Sequence, residues 1–309
     1  ALTRARERAK TPPPPRVYFL HLHKCGGTSI CQLARNSTTN GLRAPDRNCN
    51  LYGDGPRTLG QAGERGYANL EWEDDCAARE KYAEAANLQF LAVERWLDVA
   101  YVSSPDCRAR FFFVTSLREP LARYRSHLAF EHVSEEDAVA WAEQLQVPRD
   151  DPVRRGTAVV DNFYVRSLLG GDVYEKTPPG QITQIHASKA IEVLSDFDAV
   201  LILENLDRGF DQLFHRLGWC RPNNAELRQS FGPGDETIHF SAEDRRELAR
   251  LNAHDNGVYD FARELAAALE TNLPPADVGQ PYRACRAKRL RSRGGYARHQ
   301  PYQHEYPAT

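Results

Sequence analysis

The chain has 309 residues, 41% hydrophobic and 27% charged, enough to bury a full core as one large α/β domain or two small ones. Its formal net charge of −2 argues against a general polyanion binder such as a nucleic-acid protein. No apolar run reaches the ~18 residues needed to span a bilayer.

The charge is uneven. Arg283, Arg286, Lys288, Arg289, Arg291, Arg293 and Arg298 form a basic C-terminal stretch without an acid. Setting those seven aside, 33 basic residues stand against 42 acidic ones. Such a tail reads as a solvated terminus or as a contact for an acidic glycan, nucleic acid or headgroup. The chain begins at Ala1 and holds no Met, so it reads as a processed or trimmed product from which a signal or membrane anchor could have been removed. None of the seven cysteines (Cys25, Cys31, Cys49, Cys76, Cys107, Cys220, Cys285) forms a C-x-x-C pair, which speaks against a zinc site. Their scatter fits a secretory-pathway protein with some disulfides, and the odd count leaves at least one thiol free.

In chain order, residues 1–15 end in four prolines and predict an extended stem or linker. Residues 16–275 form the globular domain, and 276–309 the basic tail. Arg16 to Leu22 predicts a buried strand, and Thr28 to Asn36 a helix capped by Thr28 or Ser29. Asn40 to Arg65 reads as a long loop. Leu88 to Val93 and Arg110 to Leu117 predict two more strands. Pro120 starts a helix that runs from Leu121 to Glu131. Ser134-x-x-Asp137 resembles a capping box before a helix ending near Leu145. Val159 to Leu169 and Ile182 to Leu194 predict helices, Ala199 to Leu203 a fourth strand, and Asp207 to Gly218 a helix. Ser241-x-x-Asp244 caps another helix ending near Asn252, and Tyr259 to Leu269 is the last. Wholly apolar strands separated by helices predict an α/β fold, a central parallel sheet covered on both faces. Ligands bind such sheets at the carboxyl ends of the strands, so the loops at His23, Glu94 and Arg118 are expected to cluster.

The first of these loops, Lys24-Cys25-Gly26-Gly27-Thr28-Ser29, is suited to an anion. Glycines let backbone approach an oxyanion, Lys24 supplies a cation, and a helix N-terminus follows. It lacks the G-x-x-x-x-G-K-[ST] pattern of nucleoside-triphosphate loops. The third, Arg118-Glu119-Pro120-Leu121-Ala122-Arg123-Tyr124-Arg125-Ser126-His127, offers Arg118 for a bidentate phosphate contact and Ser126 for a hydroxyl.

Together the two loops resemble the sulfotransferases that use 3′-phosphoadenosine 5′-phosphosulfate (PAPS), in particular the Golgi carbohydrate type that includes the heparan sulfate 2-O- and 6-O-sulfotransferases. His21-Leu22-His23-Lys24-Cys25-Gly26-Gly27-Thr28-Ser29 matches that family's H-x-x-K-x-(G/A)-(G/S)-T-(S/T), and the Arg118 segment matches R-(D/E)-P-x-x-R-(Y/F)-x-S-x-(Y/H). Asp161 to Gly170 and Leu251 to Ala262 look familial more weakly, so the resemblance covers about Arg16 to Leu269. It implies a P-loop-kinase-like sulfotransferase fold. Lys24, Cys25, Gly26, Gly27, Thr28 and Ser29 would hold the 5′-phosphosulfate, and Arg118 and Ser126 the 3′-phosphate. Arg166 would add to the nucleotide site, or be a surface arginine. It also implies a hydroxyl acceptor, an anionic glycan among the options, no required metal, and a Golgi or secretory location, with a cytoplasmic one open.

Sulfuryl transfer needs an acceptor proton removed and the leaving oxygen's charge stabilised, the latter a task for Lys24. Glu94, at a strand end beside Trp96, is the leading base; its competing role is an ion pair with a nearby arginine. His21 and His23, on one side of a strand by two-residue alternation, and the weaker His132 compete with it, while His127 supports the nucleotide-side helix. Cys25 sits where a thiolate is favoured, but without a partner base. Three other readings stay open: a small-molecule sulfotransferase acting on an alcohol or phenol, a P-loop-like small-molecule kinase needing ATP and Mg²⁺, and a non-catalytic module that binds anionic glycans.

Overall fold

A computed structural model describes residues 2–3, 16–37, 49, 76–94, 96–97, 102–131, 161–178, 180–220 and 238–270. Four strands, β1 (Arg16–Leu20), β2 (Phe90–Val93), β3 (Phe111–Leu117) and β4 (Ala199–Ile202), form one parallel sheet in the order β2-β1-β3-β4. Leu20 pairs with Val93 on one side and with Thr115 on the other, so the carboxyl ends of β1 and β2 lie level while β3 runs on to Leu117. Every strand is buried along nearly its whole length, the pattern of a parallel sheet covered on both faces.

Alternate residues serve the two faces. Tyr18, Leu20, Leu91, Val93, Phe111, Phe113, Val200 and Ile202 join one core with residues of α5 (Phe163–Leu169), α7 (Gln184–Leu194) and α10 (Ala253–Glu270). Val17, Phe19, Phe90, Ala92, Phe112, Val114 and Leu201 join the other, beneath α1 (Gly27–Asn36) and α8 (Leu206–Leu217). Helix α8 carries a clean apolar stripe of Leu206, Phe210, Leu213 and Phe214, and ends at Gly218, whose φ of 63° suits glycine. The remaining helices are α2 (Cys76–Ala85), α3 (Pro105–Arg110), α4 (Pro120–Glu131), α6 (Gly171–Lys176) and α9 (Ala242–Leu251).

The expected α/β architecture is present, with differences in detail. Helix α1 is capped by Gly26 in a left-handed conformation rather than by the side chain of Thr28 or Ser29. Helix α5 starts at Phe163, because Asn162 at φ 53° breaks the path before it. Helix α10 starts at Ala253, six residues before the expected Tyr259. The Ser241–Asp244 capping box forms as expected, with Asp244 N–H on Ser241 Oγ at 3.1 Å. Disulfides join Cys31 to Cys49 and Cys76 to Cys107, Cys220 is also disulfide-bonded, and the free thiol among the described residues is Cys25. The 40–65 loop apart from Cys49, the Ser134–Asp137 box, His132, most of residues 1–15 and the basic tail lie outside the described residues, and among those described no helix is long and apolar enough to cross a membrane.

Candidate functional site

The carboxyl ends of β2, β1 and β3 bring Glu94, the Lys24 loop and Arg118 side by side, in that order. After β1 the chain turns sharply: Cys25 N–H bonds Leu22 O at 3.1 Å, and both Lys24 (φ 64°) and Gly26 (φ 83°) are left-handed. Such a conformation costs a non-glycine residue energy and is worth reading as a functional signal at Lys24. Helix α1 closes its first recorded turn with Ile30 N–H on Gly26 O at 3.1 Å, and the N–H groups before that point lie at the positive end of its dipole. Lys24 Nζ stands 4.6 Å from the ring centroid of Phe130, an exposed residue of α4.

The two glycines are needed for packing. A Cβ on Gly27 would fall 1.8 Å from His21 Nε2, and one on Gly26 2.6 Å from Leu203 Cδ1. The His21 ring is buried, stacked on Phe19 at 5.6 Å and pressed over Gly27.

Glu94 meets imidazoles. His23 Nδ1 lies 2.8 Å from Oε1 and His21 Nδ1 3.7 Å from Oε2. The strand ends at Leu20, so the two histidines do not sit on one side of a strand as expected, yet both reach the same carboxylate. Trp96 packs instead against Tyr174 at 4.9 Å. His127, on α4, meets the His23 ring edge-on at 5.0 Å. Burial, then electrostatic repulsion from His23, Arg123 and Lys24, pushes His127 well below the usual imidazole range, so it stays neutral.

Arg118 is half-buried with its backbone pinned. The Tyr164 phenol accepts Arg118 N–H at 3.1 Å and donates to Arg118 O. The same oxygen lies 3.4 Å from Cys25 Sγ, and Ser116 Oγ donates to Cys25 O at 2.7 Å. Tyr164 and Ser116 therefore lock the first and third loops to each other. The Arg118 guanidinium has no hydrogen-bond partner among the described residues, which leaves its fork available to an anion. The N-terminus of α4 is taken by its neighbour: Glu119 accepts the N–H groups of Leu121 (3.0 Å) and Ala122 (2.6 Å). Ser126 lies two turns into α4 and is buried; Thr28 is exposed and Ser29 buried on α1.

Two expected nucleotide contacts are corrected. Arg166 is fully buried and its five N–H donors are spent on Asp161 O and carboxylate, Val173 O, Thr177 O and Pro178 O, so it braces the chain and offers no donor to a nucleotide. Cys25 points into the core with its N–H already bonded. Burial pushes its thiol up to about 11, outweighing Tyr164, Arg123 and Arg118, so the expected thiolate does not form.

The residues that sequence reasoning missed are Tyr164, Ser116, Asp255 and Phe130. Tyr164 and Asp255 lay within the two segments quoted as weakly familial. Those segments prove to bind each other: Asp255 accepts Tyr164 N–H (2.9 Å) and Val165 N–H (3.0 Å), and Asn162 Oδ1 accepts His254 N–H (3.0 Å). Among the described residues no group of three or more His, Cys, Asp or Glu is arranged to hold a metal ion. No protein-family model matches the chain, and no curated protein matches it.

Proposed function

We propose that the protein is a sulfotransferase of P-loop-kinase-like fold that moves the sulfuryl group of PAPS to an acceptor hydroxyl, with a carbohydrate as the acceptor class. The observation that carries this reading is the coupling of two cationic loops at adjacent strand ends, Lys24 and Arg118, held in register by Tyr164 and Ser116, with the Glu94–His23 pair on the flank of the Lys24 loop. The residues fit the donor: one cation precedes a helix N-terminus, and a guanidinium without a partner among the described residues follows the neighbouring strand.

In this reading Lys24 and the N–H groups of α1 bind the 5′ end of the nucleotide, and Arg118 binds its 3′-phosphate. PAPS supplies an activated sulfuryl group, and its transfer, like phosphoryl transfer, depends mostly on positioning and charge. Lys24 stabilises the charge that grows on the leaving oxygen. The Glu94–histidine cluster receives the acceptor's proton. The disulfides support a secretory-pathway location, with the Golgi lumen as the proposed site.

The test is a thermal-stability titration with 3′-phosphoadenosine 5′-phosphate (PAP), ATP and buffer. A ligand of the native state raises apparent stability, so PAP is expected to raise the midpoint. A rise with ATP and none with PAP would overturn the proposal in favour of a kinase.

A further inference from the structure

We propose that His23, through Nε2, is the general base of the reaction, with Glu94 as the residue that positions it. This rests on the sulfotransferase reading and assigns its proton-transfer step. A carboxylate only accepts hydrogen bonds, so the 2.8 Å contact requires His23 Nδ1 to carry the proton. That fixes the tautomer and leaves the lone pair on Nε2, where the structure places no hydrogen-bond partner among the described residues. A carboxylate that orients an imidazole by Nδ1–H and stabilises the imidazolium formed later is the logic of hydrolase triads, reached here from two neighbouring strand ends.

The alternatives are poorly placed. His21 is enclosed between Phe19 and Gly27. His127 is buried. Glu94 is 14% exposed at its side chain and already engaged by His23, whose own side chain is 27% exposed. The groups against the His23 ring are Glu94 from the end of β2 and His127 and Phe130 from α4; His21 shares the Glu94 carboxylate and Lys24 shares Phe130. Phe130 lies 5.4 Å from the ring while also meeting Lys24, so base and cation share one rim.

The step balances as follows. The acceptor O–H bond breaks and its proton goes to His23 Nε2. The acceptor oxygen's electron pair forms the new bond to sulfur. The bond from sulfur to the phosphate oxygen of PAPS breaks, its electron pair staying on that oxygen of PAP beside Lys24. The imidazolium, paired with Glu94, then returns its proton to solvent.

The test has two arms on the full chain. First, ¹⁵N-histidine NMR above the ordinary imidazole pKa reads the His23 tautomer, with His23→Gln assigning the signal. Protonated Nδ1 and bare Nε2 are expected; protonated Nε2 and bare Nδ1 would overturn the proposal. Second, PAP release from PAPS is followed with desulfated heparan sulfate as probe acceptor. His23→Gln is expected to lose ~10²–10⁴-fold in kcat. Glu94→Gln, whose amide oxygen still accepts Nδ1–H, is expected to lose less. Both variants should keep the PAP-induced thermal shift. A greater loss in Glu94→Gln would return the base to Glu94. Failure of the wild-type chain to respond to PAP would instead remove the sulfotransferase reading itself.

Discussion

The carboxylate of Asp255, in the first turn of α10, accepts the backbone N–H of Tyr164 at 2.9 Å and so caps the start of α5. One residue further, Val165 N–H bonds the other oxygen at 3.0 Å. Asn162 completes the brace: it receives N–H groups from His254 and Asp255 and donates to Leu251 O. This joint sets where the Tyr164 phenol stands, and the phenol in turn holds Arg118 and Cys25. The remote helix junction is thus mechanically connected to the Lys24 and Arg118 loops.

Asp255 should make stability depend on pH. Burial raises its pKa from 3.8 to about 7, against the two backbone N–H bonds that lower it. The folded state therefore holds a proton between those values that the unfolded state has released. The stabilisation is fully present below pH 3.8 and is lost as pH rises through about 7. Within that window the slope is at most about 1.4 kcal/mol per pH unit. Asp255→Asn should flatten that part of the profile in urea unfolding; parallel profiles for variant and wild type would refute it.

Tyr164→Phe removes one hydroxyl and keeps the ring in the core. It leaves Arg118 N–H and C=O without their phenol partner, at a cost of about 1–3 kcal/mol. The expected outcome is a lower denaturant midpoint together with weaker PAP binding, since the Arg118 loop loses its anchor. Unchanged PAP affinity in the folded variant would show that the anchor does not set the site.

Arg166 should behave as a structural residue. Arg166→Ala strands the Asp161 carboxylate in the interior, and breaking a buried pair this way costs about 3–5 kcal/mol. Arg166→Lys restores the charge but offers fewer donors, and should fall between. Calorimetric titration of the folded Lys variant with PAP should give wild-type affinity; a large loss would return Arg166 to the nucleotide site.

The strands were legible because each is an apolar run bounded by polar residues, and Ser241–Asp244 and Gly218 announced their helix ends by residue type. The pairing of Glu94 with histidines was not legible from local pattern. It depends on the parallel register of β1 and β2, which sets Leu20 opposite Val93 and so brings residues 71 positions apart into contact. Helix α2 was missed for another reason: Cys-Ala-Ala-Arg-Glu-Lys-Tyr-Ala-Glu-Ala has scant apolar periodicity, and a disulfide from Cys76 to Cys107 tethers it to α3. Arg166 misled because a buried arginine and a ligand-binding one look alike until all five donors are traced.

Gly27→Ala tests the packing of the loop. The new methyl would sit 1.8 Å from His21 Nε2, so the ring must leave its place over Phe19. Overpacking of this kind costs about 1–3 kcal/mol. Displacement of His21 also removes one of the two imidazoles at Glu94. Denaturant unfolding should show the loss; a wild-type midpoint would mean that the loop yields freely and that glycine is there for the ligand alone.

Lys24 allows stability and chemistry to be separated. Its backbone is left-handed at φ 64°, a conformation that costs a non-glycine residue roughly 1–2 kcal/mol. Glycine at this position relieves that strain while removing the ammonium group from beside Phe130. Lys24→Gly is therefore expected to unfold at or above the wild-type temperature, yet to lose ~10²–10³-fold in PAP release from PAPS, the scale for removing one donor that stabilises developing charge. Lys24→Ala should lose the same activity without the gain in stability. The decisive comparison is between the melting temperature and the turnover of the same two proteins. Wild-type turnover in either variant would take Lys24 out of the reaction, whereas lost turnover in a variant at least as stable as the parent excludes misfolding as the cause.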